Sequence, residues 1–243
     1  PVLIAGDRSG QVTIFDFEQQ KITASLQQHK LPIFDIKSVS SRNELVVCSE
    51  DGTVSVWSLN QDGRETNVYP LLYHFKVSAD SIRAMAIDST ENKIAFGGKD
   101  KLIRIYSLSD YRLLHVLDGH TLPVSSLQFS PDGKYLLSGG RDATLRMWDM
   151  VDFSLKKSVN AHLFALYGIA FHPDKPYFAT ASRDKSIKIW DAHLNLKKII
   201  SVEKGYESHR LSINKICWDP ATSNLISAGD DKLVMIWEVK IND

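Results

Sequence analysis

Short runs in which apolar and polar residues alternate fill this chain, and the runs come in sets. The clearest set follows His120. Pro123–Phe129 alternates as a strand with one covered face does. Ser130-Pro131-Asp132-Gly133 is a turn, where proline presets φ and glycine supplies a positive one. Tyr135–Ser138 reads as a second strand and Gly139–Asp142 as a second turn. Thr144–Trp148 is a third strand, with Leu145 and Met147 on one face and Thr144, Arg146 and Trp148 on the other. A turn over 149–152 leads into a fourth strand, Ser154–Val159. Four short antiparallel strands joined by tight turns make one unit.

The unit recurs. Its closing aromatic falls at Phe15, Trp57, Tyr106, Trp148, Trp190 and Trp237, in steps of 42, 49, 42, 42 and 47 residues. A period of about 40–45 residues with several strands per period is the mark of a propeller blade. Overlaying the units predicts strands at 3–5, 12–15 and 22–26, then at 33–38, 45–48, 53–57 and 71–75. The third unit has them at 82–87, 93–96, 102–106 and 113–117, the fifth at 166–171, 177–180, 186–190 and 196–202, and the sixth at 213–218, 225–227 and 233–237. A polar insertion over 60–66 accounts for the long step and predicts an exposed loop; a shorter insertion spans Glu203–Glu207. The first unit lacks its inner strand and the last its outer one. Raw sheet edges invite aggregation, so residues are expected upstream of Pro1, at least an inner strand and more fully a whole blade. That makes seven blades when complete, with a six-bladed or imperfectly closed ring as the alternative. The organisation expected for 1–243 is one domain, since blades bury their faces only against neighbours.

Composition narrows the functional classes. Lys+Arg and Asp+Glu both number 29, so no bulk charge attracts nucleic acid or an anionic membrane. No apolar run reaches the roughly 18 residues of a membrane span. Two distant cysteines, Cys48 and Cys217, each lie in an apolar run and read as buried thiols. They fit a reducing compartment, and the expected location is the cytoplasm. No Gly-rich loop opens a helix, so no phosphate cradle is expected. His74, His115, His172 and His193 stand at unrelated places and suggest no metal; no cofactor is expected.

The chemistry that does repeat is a set of four residue types. His29, His120, His162 and His209 each stand 28 residues before Trp57, Trp148, Trp190 and Trp237. An aspartate sits six before the aromatic in five units: Asp51, Asp100, Asp142, Asp184 and Asp231. A hydroxyl sits four before that aspartate at Ser138, Thr180 and Ser227. Serine, histidine and aspartate together suggest a hydrolase triad. Repetition decides against it, because catalysis needs one such set and a repeating architecture needs one per blade. The types also suit a buried chain of hydrogen bonds: the indole N–H donates, the hydroxyl accepts and donates, histidine bridges and aspartate ends the chain.

Gly119-His120…Trp148-Asp149, Ala161-His162…Trp190-Asp191 and His209…Trp237-Glu238 resemble the WD-repeat (WD40) family, over essentially the whole chain. The resemblance implies an all-β propeller of four-stranded antiparallel blades in which this tetrad is structural. The likeness extends to compact, stand-alone bacterial WD-repeat proteins. Two units depart from the pattern. The third has Ser78 for histidine and Tyr106 for tryptophan, and the first has Ser9 for aspartate and Phe15 for tryptophan. Packing is expected to hold those two.

The resemblance also implies a binding platform at the end of the blades that carries the tetrad turns. Residues just before the tetrad aspartate are Glu50, Lys99, Arg141, Arg183 and Asp230, with Arg8 in the first unit. Five after the histidine come Phe34, Arg83, Ser125, Tyr167 and Asn214. Phe34, Arg83, Lys99, Arg141, Tyr167 and Arg183 therefore predict a basic, aromatic patch for an acidic or phosphorylated protein segment. Against it stands the reading that the arginines pair with neighbouring aspartates. The expected function is a non-enzymatic interaction scaffold with a protein or peptide partner, no membrane, and nucleic acid disfavoured. The alternative is an enzyme or ligand-binding propeller acting at the central channel mouth.

Overall fold

The computed structural model describes residues 1–60 and 69–241, so most of the predicted 60–66 loop lies outside the described residues. Backbone contacts divide the chain into two units, Pro1–Val116 and Leu117–Asp243. In the first unit, β1 (Val2–Gly6), β2 (Gln11–Asp16) and β3 (Lys21–Gln27) form a three-stranded sheet. A four-stranded sheet follows: β4 (Ile33–Val39), β5 (Glu44–Ser49), β6 (Thr53–Ser58) and β7 (Leu71–Lys76). The next has β8 (Ile82–Ile87), β9 (Lys93–Gly98), β10 (Ile103–Ser107) and β11 (Leu113–Leu117). In the second unit, β12 (Val124–Phe129), β13 (Tyr135–Gly140), β14 (Thr144–Asp149) and β15 (Leu155–Asn160) make one sheet. Strands β16 (Leu166–Phe171), β17 (Tyr177–Ser182), β18 (Ile187–Asp191) and β19 (Leu196–Ile200) make another, and β20 (Ile213–Trp218), β21 (Leu225–Gly229) and β22 (Val234–Trp237) close the series with three strands. Successive strands pair antiparallel throughout. Val202, which the sequence places at the end of a strand, instead opens a short 3-10 turn over Val202–Lys204 that ends at Gly205, within the expected insertion.

Sheets stack through strands covered on both faces. In the first unit β5 is buried at every position. Leu45 and Val47 point to the first sheet, against Val12, Ile14 and Leu26. Val46 and Cys48 point the other way, against Ile82, Met85, Ile94 and Phe96. That is why ELVVCS is an unbroken apolar run rather than an alternating one. In the second unit Leu145 and Met147 meet Leu166, Ile169 and Phe178, and Ile187 and Ile189 meet Ile213, Trp218 and Leu225. The outer strand β15 is mostly exposed and β19 is exposed at its start; they carry Lys156, Lys157, Lys197 and Lys198, charges that discourage edge-to-edge pairing. Cys217, which the sequence places in a core, is exposed. It shares a face with Ile226 and Ile236, and no further sheet of this unit covers that face.

Two irregularities recur. Each inner strand carries a β-bulge one residue from its start, between Ile33 and Asp35, Ile82 and Ala84, Val124 and Ser126, Leu166 and Gly168, and Ile213 and Lys215. The residues turned out of register are Phe34, Arg83, Ser125, Tyr167 and Asn214. A bulge re-aims a side chain, and here it does so at one end of each of the five sheets that have an inner strand.

The second irregularity is a left-handed residue just after the tetrad aspartate: Gly52, Lys101, Ala143, Lys185 and Lys232, at φ 77, 73, 63, 69 and 64°. Its carbonyl reaches the following sheet. Gly52 O accepts from the amides of Val77 and Ser78, and Ala143 O from those of Ala161 and His162. At Gly52 a Cβ would fall against the carbonyl oxygens of Ser78 and Asp80, the latter at 2.7 Å. Gly52→Ala combines that clash with a disfavoured φ, and we expect it to lower unfolding free energy by about 2 kcal/mol or more, read by chemical denaturation. A cost below a few tenths of a kcal/mol would contradict this packing.

Candidate functional site

The tetrad residues meet at the end of the sheets that carries these left-handed turns. His120 Nδ1 lies 2.9 Å from Asp142 Oδ2 and His120 Nε2 lies 2.8 Å from Ser138 Oγ. Trp148 Nε1 donates to the same Oγ at 2.8 Å. The fifth sheet repeats this with His162, Asp184, Thr180 and Trp190 at 2.9, 2.8 and 2.8 Å. The sixth does so with His209, Asp231, Ser227 and Trp237 at 2.9, 2.8 and 2.8 Å. One proton order satisfies every atom. The indole N–H donates to the hydroxyl oxygen, the hydroxyl donates to Nε2, and Nδ1–H donates to the carboxylate. All four brace histidines are at most 5 % exposed and Ser138 and Thr180 are wholly buried, so these hydroxyls cannot meet a substrate.

The aspartate also ties two loops together. Asp142 accepts the amides of Thr121 and Thr144, and Asp184 those of Leu163 and Ser186.

The second sheet holds a residue that the sequence pattern missed. Val47 stands where the hydroxyl belongs, yet the brace is complete. Ser55, on the neighbouring strand, lies 2.8 Å from His29 Nε2 and accepts Trp57 Nε1 at 3.0 Å, while His29 Nδ1 meets Asp51 at 3.0 Å. Val47 and Ser55 are cross-strand partners, as Thr180 and Lys188 are in the fifth sheet. The hydroxyl has moved one strand across the ladder and kept its place. The signal was a serine two before the tryptophan, opposite an apolar residue. Ser55→Ala strands a buried indole N–H and a buried imidazole nitrogen, and should cost about 3 kcal/mol. Adding Val47→Thr should recover at least about 1 kcal/mol. Equilibrium unfolding of both variants reads this, and no recovery would mean that the cross-strand account is wrong.

In the third sheet, Ser78 Oγ donates to Asp100 Oδ2 at 2.8 Å and Arg104 pairs with the same oxygen at 2.7 Å. Phe96 and Tyr106 meet edge to face at 5.6 Å where a hydroxyl and a tryptophan would bond. In the first sheet Asp7 Oδ1 accepts Ser9 N, Ser9 Oγ and Gln11 N, which closes the turn without a histidine.

Electrostatics follow burial. Desolvation pushes the His162 and His29 imidazoles below their ordinary 6.5, against the pull of Asp184 and Asp51. Burial works against ionisation of Asp142 and Asp184, but the bonds from His120 and His162, with those from Thr144 and Ser186, outweigh it and hold both carboxyls well below the usual carboxylate range. The unfolded chain therefore takes up histidine protons first as pH falls through about 6.5, and carboxylate protons first below about 3.8. Stability is fully present above pH 7, declines below about 6.5, and falls more steeply below about 4. A melting series across pH checks this; a midpoint that rises between pH 7 and 5 would contradict it.

The predicted patch residues fall into both units. Phe34, Arg83 and Lys99 lie in the first. Phe34 is half-buried, with the Arg83 guanidinium 4.9 Å over its ring. Lys99 pairs with Asp80 at 3.8 Å. Arg141, Tyr167 and Arg183 lie in the second. Tyr167 is half-buried rather than fully displayed. Arg141 and Arg183 are exposed and form no ion pair among the described residues. The brace aspartates beside them are engaged by histidine and backbone. The amides of Arg141 and Arg183 donate to Pro123 O and Ala165 O at 2.8 and 2.9 Å, so the backbone of each arginine is held beside the loop after its histidine. At the opposite end of β13 and β17 a groove of about 390 Å³ opens between Tyr135, Met147, Phe171 and Phe178. Its walls come from two sheets, so no single repeat displayed it.

Sheets of this topology, braced in this way, define a WD-repeat β-propeller, here with six blades. The chain belongs to the WD40 family (WD domain, G-beta repeat), which matches residues 20–58, 111–149, 153–191 and 200–238, more than half of the chain. Those four segments each close on a brace tryptophan. Among relatives, the chain is 26% identical over 133 residues to guanine nucleotide-binding protein subunit beta-like protein 1 of Mus musculus, covering 55% of this chain and 40% of that one. It is 26% identical over 134 residues to the nuclear distribution protein PAC1 of Arthroderma benhamiae, covering 52% and 28%. It is 22% identical over 173 residues to cilia- and flagella-associated protein 52 of Mus musculus, covering 56% and 28%. The matched regions thus span well under half the length of these relatives. A chain in the crystal structure of the mitotic checkpoint complex superposes with a TM-score of 0.85 at 17% identity, over 98% of this chain and 71% of that one. That likeness shows the fold.

Proposed function

We propose that the chain is a non-enzymatic interaction scaffold that takes an acidic segment of a partner protein at the turn ends of its blades. The observation that carries this reading is the state of Arg141 and Arg183. Both are exposed, both stand on turns that the brace fixes, and neither has a carboxylate partner among the described residues. A guanidinium without a counter-ion has no ion pair to break before it meets a carboxylate, and its planar fork suits a bidentate one. Lys99 differs, since it already has Asp80. Arg83 and Phe34 supply a stacked cation and ring rather than a free cation. Membership of a family of binding platforms supports the same reading, and so do the relatives, whose names denote subunits and associated proteins rather than enzymes.

Affinity purification from the native cell, with mass spectrometry, provides the test. The double variant Arg141→Glu, Arg183→Glu should melt as the parent does and bind the partner at least about tenfold more weakly, or about 1.4 kcal/mol. Partner binding by the parent should also weaken with added salt. A partner retained unchanged by the double variant would remove the patch from the function.

A further inference from the structure

A second pattern runs beside the arginines. Two residues after each brace histidine stands a large apolar side chain: Leu31, Leu122, Phe164 and Leu211, exposed to 45, 47, 57 and 49%. Leu163, next to Phe164, is exposed to 82%. The brace does not call for them, because these positions contribute only backbone to it. Ser182 Oγ, for instance, donates to Phe164 O at 3.1 Å and fixes the main chain while the ring remains in solvent.

In the second unit these apolar residues have cations beside them. The Arg141 amide is bonded to Pro123 O, next to Leu122, and the Arg183 amide to Ala165 O, next to Phe164. In the sixth sheet Arg210 directly precedes Leu211, and both are exposed. None of the three guanidinium groups has a carboxylate partner among the described residues. In the first unit exposed Lys30 likewise precedes Leu31, but an acidic residue stands on the turn beside them. Glu50 is bonded beside Leu31, through its amide to Pro32 O. In the third sheet the apolar position is Asp80, already paired with Lys99. Three consecutive sheets of the second unit, joined by β12 on β16 and β16 on β20, thus present apolar and cationic groups together.

We propose that this rim docks an extended partner segment in which carboxylates alternate with large apolar side chains. The proposal rests on the scaffold reading and adds the partner's chemistry to it. The charge side follows from unpaired guanidinium groups, for which carboxylate is the complement. The apolar side follows from leucines and a phenylalanine left in water, which gain by being covered. A purely anionic ligand, whether a phosphopeptide without apolar residues or a nucleic acid strand, would satisfy the arginines and leave Leu122 and Phe164 wet. Asp230, bonded to Asn214 at 2.5 Å, places a negative group at the sixth turn and bounds the cationic stretch there.

Fluorescence anisotropy of the full chain with three short synthetic peptides tests this. One alternates Glu or Asp with Leu or Phe, one replaces its apolar residues by Ser, and one replaces its acids by Gln or Asn. The alternating peptide should bind at least about tenfold more tightly than either of the others. Leu122→Ser with Phe164→Ser should weaken the alternating peptide about tenfold and leave the charge-only peptide unchanged. Arg141→Glu with Arg183→Glu should weaken both charged peptides. If the charge-only peptide binds as tightly as the alternating one, the apolar rim takes no part, while the scaffold reading stands. If the arginine variant affects neither peptide, or no peptide binds, both fall. Tighter binding of an oligothymidine probe than of the alternating peptide would also overturn the proposal. The peptide comparison uses the unmodified chain, so it holds whether or not a variant folds.

Discussion

An indole N–H buried or half-buried between strands must have an acceptor, and in four of the six blades that need sets the local structure. The acceptor is a hydroxyl whose own proton goes to a histidine, whose second nitrogen faces an aspartate. The aspartate in turn holds the loop after the histidine and the turn that contains it. Each bond contributes only about 1 kcal/mol, but removing one strands its neighbours in a place without water. The brace therefore fixes the loops at one end of each braced blade, and the backbone of whatever stands on those loops is held in place.

Blades one and three show what the constraint demands once the tryptophan is gone. Phe15 and Tyr106 have no indole N–H, so a hydroxyl at the centre is not required. The third blade fills that place with Phe96 against Tyr106 and closes its aspartate with Ser78 and Arg104. The first closes its turn with Asp7 and Ser9. The second blade keeps the tryptophan, and it keeps the hydroxyl even though it must come from Ser55 on another strand. What is invariant is the acceptor for the indole, and the position along the chain that supplies it is free to move.

On the proposed scaffold reading, partner binding falls to what the brace leaves unspecified. The residue before the aspartate and the residue two after the histidine contribute only backbone to the brace, so their side chains are open to choice. In the second unit those choices are Arg141 and Arg183 beside Leu122 and Phe164. In the first they include Glu50, and Lys99 paired with Asp80. The inner-strand bulge adds one side chain at the same end in blades two to six, yet Phe34 and Arg83 turn toward each other rather than fully into solvent.

The sequence by itself determined the period, the strands and the chemical nature of the brace. Each is written in short offsets along the chain: alternation of two within a strand, 28 residues from histidine to tryptophan, six from aspartate to tryptophan. It did not determine which cations would be free, because Lys99 and Arg141 occupy equivalent positions and only the loop opposite decides whether a carboxylate is near. It did not place Ser55, since a cross-strand neighbour depends on register rather than offset. It read Cys217 as buried from its apolar surroundings, and the structure exposes it because burial of a sheet face requires another sheet against it. Local patterns fix which residues face the same way within a strand. What those residues meet is settled by pairing register and by the neighbouring blade, and both bring together positions far apart in the chain.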